Sequence, residues 1–121
     1  MEINLEDYNF YIRPGRTDMR FGALRLARLV ITEMGRQPME RSMFIFCGSS
    51  NKVVKMLVWD HNGFWLATKR IVGRGGFAWP ADGEAARKVS FDEVLRFLGG
   101  AGLLEAPAGC ERGLHGLKKV N

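Results

Sequence analysis

Apolar and polar residues alternate along the middle of the chain in the manner of β-strands. The clearest alternation spans residues 52–59, where apolar residues occupy every second position. Because successive side chains of a strand point to opposite faces, this segment predicts a strand. A second strand is predicted over residues 64–71, and Asp60-His61-Asn62-Gly63 between the two is typical of a hairpin turn.

Shorter apolar segments flank this hairpin. Residues 5–13 and 42–47 each predict a strand, and residues 77–79 predict a last one. Turn residues at 48–51 and a glycine-rich loop at 73–76 separate these segments. Because the links are short, the strands are expected to form an antiparallel meander.

A helical periodicity follows the first predicted strand. Thr17 is a candidate N-cap, and the helix is predicted to continue to about Met34, before Gly35 ends it. An apolar stripe at intervals of three and four residues predicts the face that packs on the sheet. The stripe consists of Ala23, Leu24, Ala27, Val30, Ile31 and Met34.

A second, shorter helix is predicted near the C-terminus. Ser90 and Glu93 have the spacing of a capping box, and Gly99-Gly100 ends the helix. The predicted fold is therefore α+β: a small antiparallel meander of about four to five strands, one long helix packed on it and a second short helix. We expect residues 1–99 to form a single domain and residues 100–121 to be a Gly-rich, weakly ordered tail.

The composition favours a protein of the cytoplasm. The 121 residues are 46% hydrophobic, which is enough for a modest core. No apolar run is long enough to cross a bilayer, and the first residues, M-E-I-N-L-E-D, are acidic where a signal peptide is basic. The two cysteines, Cys47 and Cys110, are therefore expected to stay reduced, and no membrane partner is expected.

The positive charge is concentrated in the first two thirds of the chain. The net charge is +5; residues 9–55 carry nine basic and three acidic residues, whereas residues 81–121 carry six of each. Such a concentrated excess favours a partner that bears phosphates. A solvated, soluble surface is the alternative explanation.

Basic residues of the predicted sheet are the main candidates for contact with nucleic acid. They are Lys52, Lys55, Lys69, Arg70 and, in the glycine-rich loop, Arg74. If Lys55 and Lys69 share a face, they form a cationic ridge whose phosphate contacts would depend on salt. The alternative is that the lysines only protect a sheet surface. Three neighbouring aromatic residues could stack on unpaired bases, although we favour a place in the core for Trp59, Phe64 and Trp65.

The sequence Thr17-Asp18-Met19-Arg20 stands at the predicted start of the first helix. Arg16 or Arg20 could hold an anion against the exposed N–H groups there. A structural role is favoured, because Asp18 would already occupy the positive terminus and could pair with Arg20.

Catalytic and metal sites receive little support. Asp60 and His61 could act as metal ligand and base of a nuclease, but a turn explains them better. Cys47, His61, Cys110 and His115 lack the paired short spacing of a zinc module. We therefore predict no catalytic residue, no metal and no cofactor.

Five motifs together resemble one family. They are T-D-M-R at 17–20, F-x-F-x-G at 44–48, K-x-x-K-x-L-x-W-D at 52–60, G-F-x-L-x-x-K-R at 63–70 and F-x-W-P at 77–80. In this order they resemble the TnpB accessory proteins of bacterial IS66-type insertion sequences, which differ from the RNA-guided nuclease that shares the name.

The resemblance implies a small protein encoded beside a separate, larger transposase and needed for efficient movement of the element. It brings no catalytic residues. We therefore expect a non-catalytic accessory protein of transposition. The resemblance implies the transposase as a partner, and the basic charge predicts DNA as a second one. One alternative is a protein–protein adaptor without DNA contact, which an exposed hydrophobic patch near Trp65 or Trp79 would favour. Another is a small metal-dependent nuclease, which a cluster around Asp60 and His61 would favour.

Overall fold

The structure, a computed structural model, describes residue 4 and residues 7–99. This part of the chain contains five strands and two helices. The predicted tail, residues 100–121, lies outside it. The strands are β1 (Asn9–Arg16), β2 (Ser42–Cys47), β3 (Val53–Asp60), β4 (Gly63–Arg70) and β5 (Arg87–Val89). Helix α1 (Ala23–Thr32) follows β1, and α2 (Phe91–Leu98) follows β5.

The sheet is mixed, so the predicted antiparallel meander is wrong. The strand order is β4-β3-β2-β1-β5, and β1 runs parallel to β2 with Phe10 opposite Met43. The other neighbours pair antiparallel. Parallel neighbours need a crossover connection, and the segment that contains α1 supplies it.

The prediction of one long helix packed on the sheet is also wrong. Helix α1 has ten residues, and its N-cap is Gly22 rather than Thr17. The chain around Thr17 instead extends the sheet, since its backbone N–H donates to the carbonyl of Cys47 at 2.8 Å. The capping box of α2 is confirmed, because the Ser90 side chain accepts the N–H of Glu93 and the Glu93 side chain accepts the N–H of Ser90.

The sheet is covered on both faces. Central strand β2 is buried along its whole length, with Ile45 on the side of α2 and Phe44 on the side of α1. We call these the α2 face and the α1 face. Helix α1 buries Leu26, Ala27, Leu29 and Val30, so only part of the predicted stripe packs on the sheet.

Two residues of the predicted stripe point outward. Leu24 is 80% exposed and Ile31 is 55% exposed. Apolar residues occupy every side of this short helix except the one with Arg25, Arg28 and Thr32, so several stripes have the helical period. The spacing alone did not show which stripe meets the sheet.

The boundaries of the edge segments differ from those predicted. Residues 77–79 form no strand, although Phe77 is buried; β5 lies instead in Arg87–Val89, where Val89 pairs with Phe10. Pro14 and Gly15 lie inside β1, at an irregularity in its pairing with β2. The hairpin between β3 and β4 is confirmed, with Asp60 paired to Gly63.

A candidate nucleic-acid interface at one end of the sheet

Five of the seven predicted basic residues lie at the same end of the sheet. Parallel strands β1 and β2 both end there, antiparallel β3 therefore begins there, and β4 ends there. The connecting loops bring further residues to the same place. We call this group the basic end; it consists of Arg16, Arg20, Lys52, Arg70 and Arg74.

Backbone hydrogen bonds join the loops of the basic end. The N–H of Ile71 donates to the carbonyl of Lys52 at 2.8 Å, and the N–H of Phe77 donates to Asn51 at 2.5 Å. A Cβ on Gly76 would lie 2.8 Å from the Asn51 carbonyl oxygen, so glycine allows this close approach. The loop that carries Arg74 is thus tied at both ends to the turn between β2 and β3.

Most cations of the basic end have no acidic partner within the described residues. Arg16, Arg70 and Arg74 are exposed and take part in no ion pair there. Lys52 donates to the backbone carbonyl of Gly73, which is not an acidic partner. These four side chains therefore present net positive charge to solvent.

Arg20 differs because it is held by Asp18. Its Nη2 lies 2.7 Å from Asp18 Oδ2, and its Nε donates to Oδ1 at 3.0 Å. The side-chain hydrogen bond from Arg20, followed by the backbone one, lowers the pKa of Asp18 to about 2. The predicted pairing of these two residues is confirmed. The Arg20 side chain nevertheless remains 90% exposed, so its remaining donors face solvent.

An open cleft of about 540 Å³ separates two walls of the basic end. Residues 16–20 form one wall, and Gly48, Ser49, Ser50 and Val53 form the other. The walls touch where Gly48 packs on Met19, since a Cβ there would lie 2.6 Å from Met19 Cγ. Sequence reasoning missed these two serines as site residues; the glycine that closes the F-x-F-x-G motif was the available signal.

Lys55 and Lys69 do not form the predicted ridge. In the β3–β4 pair, Lys55 lies opposite Thr68 and Lys69 lies opposite Val54, so the two lysines point to opposite faces. Lys55 Nζ donates to the carbonyl of Phe21 at 3.0 Å on the α1 face. Lys69 Nζ donates to the carbonyl of Leu98 at 2.5 Å on the α2 face.

The three aromatic candidates lie away from the basic end. Trp59, Phe64 and Trp65 stand next to the hairpin turn, at the other end of β3 and β4. The rings of Trp59 and Phe64 meet edge to face at 5.0 Å. Trp65 is 50% exposed, and its Nε1 donates to Asp60 Oδ2 at 2.8 Å. These rings therefore do not line the same surface as the cations.

The described residues hold no group of three or more His, Cys, Asp or Glu side chains that could bind a metal ion. Asp60 accepts the hydrogen bond from Trp65, and His61 occupies the turn with a φ of 53°. The nuclease hypothesis gains no support from this arrangement. Cys110 and His115, two members of the zinc combination, lie outside the described residues.

Cys47 ends β2 beside the basic end. It is fully buried, and burial raises the pKa of its thiol to about 11. A thiol in this state is not an effective nucleophile, so Cys47 belongs to the core.

Ion pairs neutralise several arginines elsewhere in the described chain. The pairs are Arg13 with Glu33, Arg36 with Glu40, Arg41 with Asp7, and Arg87 with Glu93. Acidic partners are thus placed outside the basic end, except for Asp18. No helix of the described residues is both long enough and apolar enough to span a bilayer.

Comparison with known proteins gives two matches. The family described as "IS66 Orf2 like protein" matches residues 8–106. An uncharacterized protein, y4hO, of Sinorhizobium fredii (strain NBRC 101917 / NGR234) is 33% identical over 95 residues, which cover 78% of this chain and 82% of that protein. No solved structure matches.

Proposed function

The chain belongs to the IS66 Orf2-like family, which implies an accessory role in transposition, and on this premise we propose that it performs that role by binding DNA. The basic end contacts the phosphate backbone, and the protein catalyses no reaction itself. The observation that supports this is the uneven pairing of charge. Elsewhere, Arg13, Arg36, Arg41 and Arg87 have carboxylate partners, whereas Arg16, Arg70 and Arg74 lie together at one end of the sheet and have none among the described residues.

The loops that carry these cations favour binding without rearrangement. Hydrogen bonds from Ile71 to Lys52 and from Phe77 to Asn51 fix the two loops to each other. Binding therefore needs little ordering of backbone, which reduces the entropy lost on association.

The character of the interface favours phosphate contact over base reading. Stacking platforms bind unpaired bases, but Trp59, Phe64 and Trp65 lie at the opposite end of the sheet. Lys55 and Lys69 are left out of the interface because they point to opposite faces of the sheet, away from the loops of the basic end, and contact Phe21 and Leu98 there. The proposed partner is therefore duplex DNA, bound with low sequence preference and strong salt dependence.

The test is a titration of the full-length protein into fluorescently labelled duplex DNA at several salt concentrations. Wild type is compared with the double variant Arg70→Gln, Arg74→Gln. Each lost phosphate contact should reduce the slope of log affinity against log salt by about 1, so the double variant should lose about 2.

A matched control removes two charges outside the basic end. Arg28→Gln with Lys88→Gln alters two exposed cations, one on α1 and one on β5. Its salt slope should stay near that of wild type. Equal losses in both double variants would show that net charge alone drives binding and would refute the assignment to the basic end.

A second candidate function is supported by the outward face of α1. Leu24 and Ile31 are two turns apart on one side of the helix and are exposed, and Arg28 lies between them. Exposed apolar residues on one helix face are typical of contact with another protein. The adaptor hypothesis therefore places the separate transposase on this face.

The adaptor hypothesis is tested by co-purification with the transposase of the same element. Leu24→Glu with Ile31→Glu should abolish recovery of the complex and leave DNA affinity unchanged. Recovery equal to wild type would refute a contact through this face.

A further inference from the structure

Strand β4 leaves a long edge of the sheet open. It is the outermost strand, and its eight residues pair without interruption with β3. No strand of the described residues pairs with its other side. The strand contains neither proline nor a bulge, two devices that commonly protect an edge. The opposite edge, β5, has only three residues.

The backbone groups that face outward can be identified from the pairing. Asp60 and Gly63 close a two-residue turn at one end of the β3–β4 pair. At the other end, the N–H of Ile71 donates to the carbonyl of Lys52, in the turn between β2 and β3. In an antiparallel pair the residues that bond to one neighbour alternate with those that face away. Odd-numbered residues of β4 therefore bond to β3, and the even-numbered ones direct N–H and C=O groups outward. These are Phe64, Leu66, Thr68 and Arg70.

The side chains of β4 are complementary to themselves. On the α2 face, Trp65 and Lys69 lie symmetrically about Ala67. A two-fold axis through Ala67, perpendicular to the sheet, would set Trp65 of each copy opposite Lys69 of the other. The dimer would then contain two equivalent Trp65–Lys69 pairs. A lysine beside an indole ring is attracted by the face of the ring. The Lys69 ammonium group donates to the carbonyl of Leu98 in its own copy, and its other two N–H donors remain to face the ring. The hydrogen bond from Trp65 to Asp60 holds that ring in place.

We propose that two copies of this chain pair β4 with β4, antiparallel, about a two-fold axis at Ala67. The outward groups of Leu66 then bond to those of Thr68 in the second copy. On the α1 face, Phe64 lies opposite Arg70 of the second copy, a second ring–cation pair. The two sheets become one continuous sheet with the two basic ends directed oppositely.

Other registers of the β4–β4 pair bring fewer complementary side chains together. The axis preserves the faces of the sheet, so only residues on the same face can stand opposite each other. An axis at Leu66 would place Trp65 opposite Ala67 and Lys69 opposite Gly63, and both ring–cation pairs would be lost. The register centred on Ala67 keeps like charges apart and overlaps most of the strand.

The test is sedimentation equilibrium of the full-length protein over a range of concentrations, in the absence of DNA. Wild type should show a reversible monomer–dimer equilibrium. Ala67→Glu and Ala67→Lys each place two like charges face to face on the axis, and each should weaken the dimer by at least about tenfold. Ala67 is exposed, so the monomer should fold as before, which thermal unfolding checks.

An equimolar mixture of Ala67→Glu and Ala67→Lys should recover the dimer, because opposite charges then meet on the axis. A wild-type protein that stays monomeric, or dimers that persist unchanged in both single variants, would overturn the proposal. So would a mixture that stays monomeric.

Cross-linking gives a second readout of the register. Opposite residues of a pair without hydrogen bonds have Cα atoms about 4.5 Å apart, which suits a disulfide. In a Cys110→Ser background, Ala67→Cys should form a covalent dimer on mild oxidation, whereas Lys88→Cys on β5 should not. Equal cross-linking at both positions would contradict the register.

Discussion

Lys55 and Lys69 lie on neighbouring strands but on opposite faces of the sheet. The pairing of Lys55 with Thr68 and of Lys69 with Val54 sets this relationship. Each ammonium group donates to a backbone carbonyl, one of Phe21 and the other of Leu98. Each lysine therefore links its strand to a segment that packs on one face of the sheet.

Replacing both lysines tests this structural role. Lys55→Gln with Lys69→Gln should leave the salt slope of DNA binding unchanged and lower the free energy of unfolding by about 1 kcal/mol per lost hydrogen bond. Urea unfolding and the DNA titration measure the two effects. A changed salt slope of DNA binding with unchanged stability would mean that these lysines contact DNA.

The packing of α1 is tested by two leucines two residues apart. Leu26 is fully buried and Leu24 is 80% exposed. Leu26→Ala should cost about 2–5 kcal/mol of unfolding free energy through the cavity it leaves. Leu24→Ala should change stability by no more than about 0.5 kcal/mol. Urea unfolding compares the two variants, and a larger loss for Leu24→Ala would mean that α1 is rotated on the sheet.

The start of α2 depends on a local hydrogen-bond pair. Ser90→Ala removes the acceptor for the N–H of Glu93, and loss of such a cap costs about 1 kcal/mol. Thermal unfolding should show the decrease. Ser90→Asp supplies another acceptor and should restore most of the stability; failure of that rescue would assign the loss to something other than the cap.

The Asp18–Arg20 pair predicts a dependence of stability on acid pH. The pKa of Asp18 falls from its ordinary value of 3.8 to about 2 in the folded protein. A lowered folded pKa contributes stability above pH 3.8, and this contribution is lost as the pH falls through about 2. In urea unfolding, Asp18→Asn should therefore be less stable than wild type at pH 5 and equal to it below pH 2. A difference that persists in acid would contradict the ionic origin.

The same substitution has a functional consequence. Asp18→Asn removes the carboxylate that holds Arg20, so the guanidinium becomes free to bind phosphate. DNA affinity at low salt should rise, and the salt slope should steepen by about 1. Anisotropy titrations measure both quantities. Weaker binding would show that Asp18 orients Arg20 for its contact.

Local features of the fold were accessible from the sequence, whereas contacts between distant segments were not. The capping box at Ser90 and the hairpin at Asp60–Gly63 depend on residues close together in the chain, and both were predicted. The parallel pairing of Phe10 with Met43 joins segments separated by a helix. No periodicity encodes such a neighbour, so the strand order was missed.

In the candidate site, too, residue types could be predicted from the sequence, whereas their arrangement in space could not. Basic residues could be selected by type, but their grouping follows from strand direction, which brings Arg16 and Arg70 to one end. The separation of Lys55 from Lys69 depends on a register that the hairpin turn fixes at Asp60 and Gly63. Counting residues back from that turn would have placed the lysines on opposite faces.

The salt dependence of wild-type binding to duplex DNA tests the central claim most directly. Four cations of the basic end lack a carboxylate partner among the described residues, namely Arg16, Lys52, Arg70 and Arg74. If each neutralises one phosphate, log affinity should fall against log salt with a slope of about −4. No binding at low salt, or an affinity that does not change with salt, would contradict DNA binding through the basic end.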